Sequence, residues 1–202
     1  KRSAPIKNQQ GTVIIVKKTV CVVFGSASSE YEISLMSSSS ILRNLDTEKF
    51  DILTLGITKD GRWLLYSGGI DAIEDGTWVE HPENRTAFLS PDRSTAGLVV
   101  LEPDGTCSIR KIDVVFPVLH GKNGEDGTIQ GLFQLSGIPY VGCGTLASAL
   151  CMDKAITHSL LASANIEQAH YLWFYTDRYA ENSEKILTKI GPRLNFPVFV
   201  KP

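Results

Sequence analysis

Seven consecutive residues, Thr19–Gly25 (TVCVVFG), constrain this chain more than any other stretch. They are apolar or β-branched and lack the polar alternation of a half-solvated strand. Both faces of such a strand must be covered, as in a parallel sheet with helices on either side. The next segment agrees. After Gly25 the run SASSEYEISLMSSSSILRNL reads as a helix opening at Ser29, with Glu32 three residues on as the reciprocal member of a capping box. Ile33, Met36, Ile41 and Leu45 form its expected apolar face. A second strand begins at Phe50 (FDILTLGIT), and Asp60-Gly61 turns it back into RWLLY as a hairpin. Strand, helix and strand in short succession give an α/β fold with a parallel pair at its centre.

Further along, residues 67–95 are polar and without sustained period, and read as a surface excursion. A second hairpin turns at Asp104-Gly105. Ile112–Leu119 (IDVVFPVL) is another strand of the buried type and runs directly into HGKNGEDG. Thr128–Leu135 reads as a helix stopped at Gly137, Tyr140–Gly142 as a short strand, and Asp153 as the cap of a later helix. Leu172–Tyr175 and the terminal VFV are strand-like, with a helix over Tyr179–Ile190 between them. The domain reading is an extension over 1–18, an α/β substrate-binding domain over 19–141, and the start of a second domain over 142–202.

Composition removes several classes of function. The net charge is −2 and no Lys/Arg block exceeds two residues, so no electrostatic footprint for nucleic acid or an anionic membrane is expected. The longest apolar runs, Val13–Val16 and Val20–Phe24, fall far short of the ~20 residues that span a bilayer. The basic N-terminus is followed by no signal-type apolar core, and the chain reads as cytoplasmic. Cys21, Cys107, Cys143 and Cys151 have no zinc-type spacing and read as free thiols, so no metal site is expected in this chain.

The chemistry concentrates in two loops. In an open α/β sheet, ligands bind beyond the carboxyl ends of the strands, where Gly25–Glu30 and His120–Gly127 both lie. A single glycine in the first loop is too few for a dinucleotide fingerprint. Glu30 stands at a helix start, where the dipole stabilises a carboxylate. With capping assigned to Glu32, Glu30 is free to bind an ammonium group. His120 emerges from a buried strand into a loop, the setting of a group that titrates near neutrality in a cleft. Glu125 and Asp126 are placed to orient a cation, to cap the helix beginning near Gly127, or to do both. Lys154 and Lys201 are candidate phosphate partners, Lys201 because it ends an apolar strand where a cation needs an anion to meet it. Taken alone, Lys154 reads equally well as a surface lysine.

GSASSEYEISL, VLHGKNGEDGTIQGLFQLSGIPYVGCG, SALCMDK and PVFVKP, in this order, resemble the D-alanine:D-alanine ligases of bacterial cell-wall synthesis from about Thr19 to Pro202. Tyr31 in the EYE triplet and the GITKDGRW hairpin are most similar to the vancomycin-resistance branch that makes D-alanyl-D-serine. The resemblance implies a Rossmann-like, pre-ATP-grasp domain followed by the opening of an ATP-grasp domain. It implies an enzyme that uses ATP and Mg²⁺ to join D-alanine to a second D-amino acid through an acyl phosphate, with a homodimer expected. By the same resemblance, Glu30, Ser28, His120 and Glu125 bind substrate, with Glu30 and His120 at the catalytic centre. Lys154, Phe199, Val200 and Lys201 then bind nucleotide. Ser26 departs from the family, which usually has a second glycine there. The family's phosphate loop, lid loop and magnesium carboxylates lie beyond the matched segment, so the expectation is that these 202 residues alone turn over no ATP. The alternative is a non-enzymatic ligand-binding or dimerising module.

Overall fold

The computed structural model describes residues 17–201, together with the backbone of Ile6–Lys7 (β1) and Val13–Ile14 (β2), which pair as a short antiparallel ladder. Of the extension expected over 1–18, Lys17 and Lys18 are also described, Lys18 already belonging to the main sheet, and the rest lies outside the described residues. The chain divides into two compact units, the first ending at Met152 and the second beginning at Asp153. Among the described residues, no helix is long and apolar enough to cross a membrane.

The first unit is built on a seven-stranded sheet. Its strands are β3 (Lys18–Gly25), β4 (Phe50–Ile57), β5 (Trp63–Tyr66), β6 (Arg85–Leu89), β7 (Gly97–Leu101), β8 (Cys107–Lys111) and β9 (Val114–Leu119), in the spatial order β8-β7-β6-β5-β4-β3-β9. β3 pairs in parallel with both β4 and β9, while every other pair is antiparallel. The parallel core expected from TVCVVFG is present, and the two expected hairpins supply the antiparallel β4–β5 and β7–β8 pairs, with β6 joining them.

Side chains alternate along β3 between two cores. Val20, Val22 and Phe24 face one side, together with Tyr31, Leu35 and Leu42 of α1 (Tyr31–Asn44) and Ile73 of α2 (Ile70–Glu74). Cys21 and Val23 face the other, with Ile129 and Phe133 of α3 (Thr128–Ser136). Each face of the central strand is thus closed by a helix, which is why the strand carries no polar alternation. The four cysteines are free, Cys21 buried and the other three exposed. Burial pushes the Cys21 thiol up to about 12.

Several local readings need correction. Ile33 and Met36 do not face the core: they are 54% and 63% exposed, and α1 instead buries Ser34, Ser38 and Ser39 between its large apolar residues. Small side chains let the helix backbone approach the sheet closely, so packing distance overrode apolar spacing. The capping box is also absent. Glu30 is the residue before the first helical turn, no side chain caps it, and Glu32 pairs with Lys59. Residues 67–95 are no structureless excursion, since they hold α2, a 3₁₀ turn at Thr77–Glu80 and β6, which lies inside the sheet between β5 and β7. Trp78 of the 3₁₀ turn is fully buried against Phe24, ring centroids 4.8 Å apart.

The first unit also contains α4 (Thr145–Met152), and the second contains α5 (Lys154–Ser163) and α6 (Thr176–Arg193). Asp153 caps α5 as expected, accepting the Ile156 amide at 2.9 Å. Leu172–Tyr175 and Val198–Val200 form no strand, because no neighbouring strand offers them a ladder among the described residues. No residue from Asp153 to Lys201 is buried.

Candidate functional site

β3 and β9 run side by side in the same direction with Gly25 opposite Leu119, so the two candidate loops leave the sheet as neighbours. Gly25 has φ +88°, and a Cβ on it would sit 2.0 Å from the Ile57 carbonyl oxygen of β4. Only glycine lets the chain turn there without displacing the adjacent strand. Ser26 follows at φ +109°, an unfavourable conformation for a residue with a side chain, and is held by its amide donating to Ile57 O at 2.9 Å. A glycine, which the resemblance leads one to expect at this place, would adopt that backbone without strain.

Hydroxyl groups stitch the loops together. Ser28 Oγ donates to His120 O at 2.9 Å, and Ser26 Oγ donates to Lys122 O at 3.4 Å. Ser34, on the first turns of α1, accepts from Gly25 N at 2.8 Å and donates to Val118 O, which ties the ends of β3 and β9 to the helix. Gly121 (φ +68°) lies so close beneath this arrangement that a Cβ would sit 2.8 Å from Glu30 Oε2 and 2.9 Å from Ser28 Oγ. Glu30, Ser28 and the His120–Gly121 backbone are thus in one place, as their positions at the strand ends led us to expect. The Glu30 carboxylate is exposed, His120 is half-buried, and His120 Nε2 lies 3.2 Å from Ser37 Oγ.

The acids of the second loop hold that loop. Glu125 Oε2 accepts the Gly121 amide at 2.8 Å, while Asp126 accepts Asn123 N at 2.8 Å and Thr128 N at 3.0 Å. Partial burial pushes the Asp126 carboxyl up, but the amides of Asn123 and Thr128 and the Thr128 hydroxyl outweigh it, and the net direction is down. Of the two readings left open for these acids, backbone capping is the one their hydrogen bonds express.

Lys154, Phe199, Val200 and Lys201 all belong to the second unit. Lys154 is the first residue of α5 and is exposed; Phe199 is 94% exposed and lies with Val200 and Lys201 outside any regular element. Among the described residues, no three or more His, Cys, Asp or Glu side chains are grouped to hold a metal ion. A cavity of about 480 Å³ lies on another part of the first unit, walled by Tyr31, Glu32, Leu35, Lys59 and Asp75. None of Ser28, Glu30, His120 or Glu125 lines it. On its rim Lys59 pairs with Glu32, with the Lys59 ammonium 5.1 Å from the Tyr31 ring centroid.

Ser34 and Ser37 were missed by sequence reasoning, which saw in Ser37–Ser40 only low complexity. The signal was present: Glu30, Ser34 and Ser37 stand at i, i+4 and i+7, one face of a helix.

Residues 19–143 match the family model described as D-ala D-ala ligase N-terminus, which is more than half of the chain. The chain belongs to this family. A D-alanine–D-alanine ligase of Caldicellulosiruptor bescii is 47% identical over 188 residues, 93% of this chain and 50% of that protein. The enzyme of the same name from Acetivibrio thermocellus is also 47% identical, over 196 residues. Among solved structures, the VanG D-Ala:D-Ser ligase from Enterococcus faecalis matches with a TM-score of 0.75 and 43% identity, covering 93% of this chain and 52% of that one. The D-alanine-D-alanine ligase from Coxiella burnetii matches with a TM-score of 0.72 and 30% identity, over 87% of this chain and 50% of its own. The α/β fold of the first unit is therefore the N-terminal fold of the ligase family, and the chain spans about half the length of the relatives it matches.

Proposed function

We propose that the protein carrying this chain ligates D-alanine to a second D-amino acid, D-alanine or D-serine, for peptidoglycan precursor synthesis, and that this chain supplies the site of the first D-alanine. The observation that supports the reading is the meeting of Glu30, Ser28 and His120 at the adjacent ends of β3 and β9, in a chain of the ligase family. In the proposed reaction, the γ-phosphoryl group of ATP passes to a carboxylate oxygen of the first D-alanine. The amine of the second attacks the resulting acyl phosphate, and phosphate departs as the amide bond forms. The Glu30 carboxylate pairs with the ammonium of the first substrate, and its place at the start of α1 sets that charge where the helix N-terminus also orients the loop amides. His120, fixed through its carbonyl by Ser28, borders the same substrate. Glu125 acts at one remove, through the Gly121 amide it holds. This division of labour is positioning, which is most of what a phosphoryl- and acyl-transfer site asks of its protein.

Nucleotide binding through Lys154, Phe199, Val200 and Lys201 is part of the proposal, with the two lysines as phosphate partners. Mg²⁺ belongs to the same proposal, and its ligands are assigned, on the family resemblance, to the family's later domain, since such an ion is held by one or two carboxylates together with the nucleotide phosphates. Kinship with the vancomycin-resistance branch is supported by the VanG match and by the GITKDGRW hairpin. Cytoplasmic residence and homodimeric assembly belong to the same proposal and rest on the family. The test is Glu30→Gln in the complete protein, assayed by phosphate release with ATP and each acceptor in turn. The KM for the first D-alanine should rise at least tenfold, with the KM for ATP within about twofold of the unmodified value. An unaltered D-alanine requirement would remove Glu30 from the site.

A further inference from the structure

We infer that Ser37 is a positioning residue for His120, one that fixes the imidazole as its Nδ1–H tautomer and so presents Nδ1 to substrate as a hydrogen-bond donor. The inference rests on the reading of His120 as a substrate-binding group. His120 is gripped at two points. Its carbonyl accepts from Ser28 Oγ at 2.9 Å, and its Nε2 lies 3.2 Å from Ser37 Oγ, two helical turns along α1 from Glu30. The first contact places the backbone and the second places the ring. Between them they leave Nδ1 as the ring nitrogen without a protein partner among the described residues.

The direction of the proton is set by what the neighbouring serines do. Helical serines commonly turn their hydroxyls onto a main-chain carbonyl. Ser34 donates to Val118 O and Ser38 donates to Leu35 O at 3.0 Å. Ser37 makes no main-chain bond among the described residues, and the imidazole is its partner, so its proton is available to Nε2. A nitrogen that accepts a hydrogen bond carries no proton in the neutral ring, which puts the remaining hydrogen on Nδ1. The group offered to substrate is then a neutral N–H donor of fixed direction. It suits a carboxylate oxygen of the bound amino acid or the carbonyl oxygen of its acyl phosphate. Without Ser37, both tautomers and both ring flips become accessible, and only a fraction of molecules present the donor correctly.

The decisive measurement needs no variant. Long-range ¹H–¹⁵N correlation spectra of the complete protein, labelled with ¹⁵N-histidine, should show His120 as the Nδ1–H tautomer at pH 8. A His120 signal of the Nε2–H type would overturn the inference. Variants then test its consequence for the reaction. Ser37→Ala should lower kcat roughly three- to tenfold, the kinetic equivalent of one neutral hydrogen bond, with the KM for ATP unchanged. Ser37→Thr, which keeps the hydroxyl, should recover activity to within about twofold. In a His120→Gln background, Ser37→Ala should cost nothing further. Losses that multiply in the double variant would overturn the positioning role. If His120→Gln alone leaves ligation intact, it is the substrate reading of His120 that fails, and the tautomer spectrum still decides the Ser37 contact by itself.

Discussion

Helix α1 buries six of its fourteen residues, whereas none of the eighteen in α6 is buried. α6 is the more charged helix, but apolar content alone does not account for the contrast. α1 hides three serines and leaves Ile33 and Met36 in solvent, while α6 carries Tyr179 and Leu187 on exposed positions and is kinked at Asn182. The difference lies in what each helix has to pack on. α1 crosses the ends of two parallel strands, where close approach favours small side chains and where unpaired strand groups need hydroxyl partners. α6 has no sheet within its own unit to rest on, since no strand lies among the described residues of 153–201. Burial in this chain is therefore a property of the first unit's sheet, and residue types follow from it.

The sharpest way to break that contrast is to cut into both units equally. Phe133→Ala, at a side chain 1% exposed and packed on Tyr140, should destabilise the first unit by about 3–5 kcal/mol. Leu187→Ala in α6 should change stability by less than about 0.5 kcal/mol. Hydrogen exchange at β3 and α6 amides would register both, with β3 and β9 slowest and α5 and α6 fast in the unmodified chain. A Leu187→Ala effect as large as that of Phe133→Ala would show that α6 has a covered face in solution.

Next in size is Ser34→Ala, which removes no apolar contact but orphans the buried Gly25 amide and the Val118 carbonyl. A loss of about 1–3 kcal/mol is expected, read as a lower midpoint in urea unfolding. A neutral result would mean that the strand ends find other partners and that the serine face of α1 serves packing alone.

The smallest effect concerns pH. The Asp126 carboxyl titrates below its unfolded value in the folded loop. Its contribution to stability is therefore full above the unfolded pKa, near ~3.9, and is lost as pH falls through the folded pKa. Asp126→Asn should flatten the acid limb of the stability–pH curve and leave the neutral region nearly unchanged. A change of slope near neutrality instead would point to a histidine.

Features decided by local chemistry were legible in the sequence. TVCVVFG gave itself away as a strand covered on both faces, Asp60-Gly61 and Asp104-Gly105 as hairpin turns, Gly137 as a helix stop and Asp153 as a cap. Glu30 and His120 could be grouped because strand ends, glycines and ionisable residues coincided, whereas Ser28 entered only through the family resemblance. What escaped depended on partners distant in the chain. β6 is too short and too polar in its surroundings to declare itself, and only β5 and β7 on either side make it a strand. Glu32 satisfied a capping pattern, but Lys59 across the loop had the stronger claim. Ser37 looked like filler until the histidine 83 residues later came to rest beside it.

Trp78, fully buried with its indole Nε1 donating to Tyr31 Oη at 2.9 Å, has an optical consequence. Tyr31 is the neighbour of Glu30, so the indole is one hydrogen bond and one peptide unit from the candidate ammonium site. The other two tryptophans, Trp63 and Trp173, are half-buried and exposed. A fluorescence spectrum of this chain should therefore contain a blue-shifted component from Trp78, shielded from iodide, whose intensity registers any movement at the start of α1. The protein carries its own lamp beside the place where its first substrate is proposed to sit, and a D-alanine titration could be followed without attaching a dye.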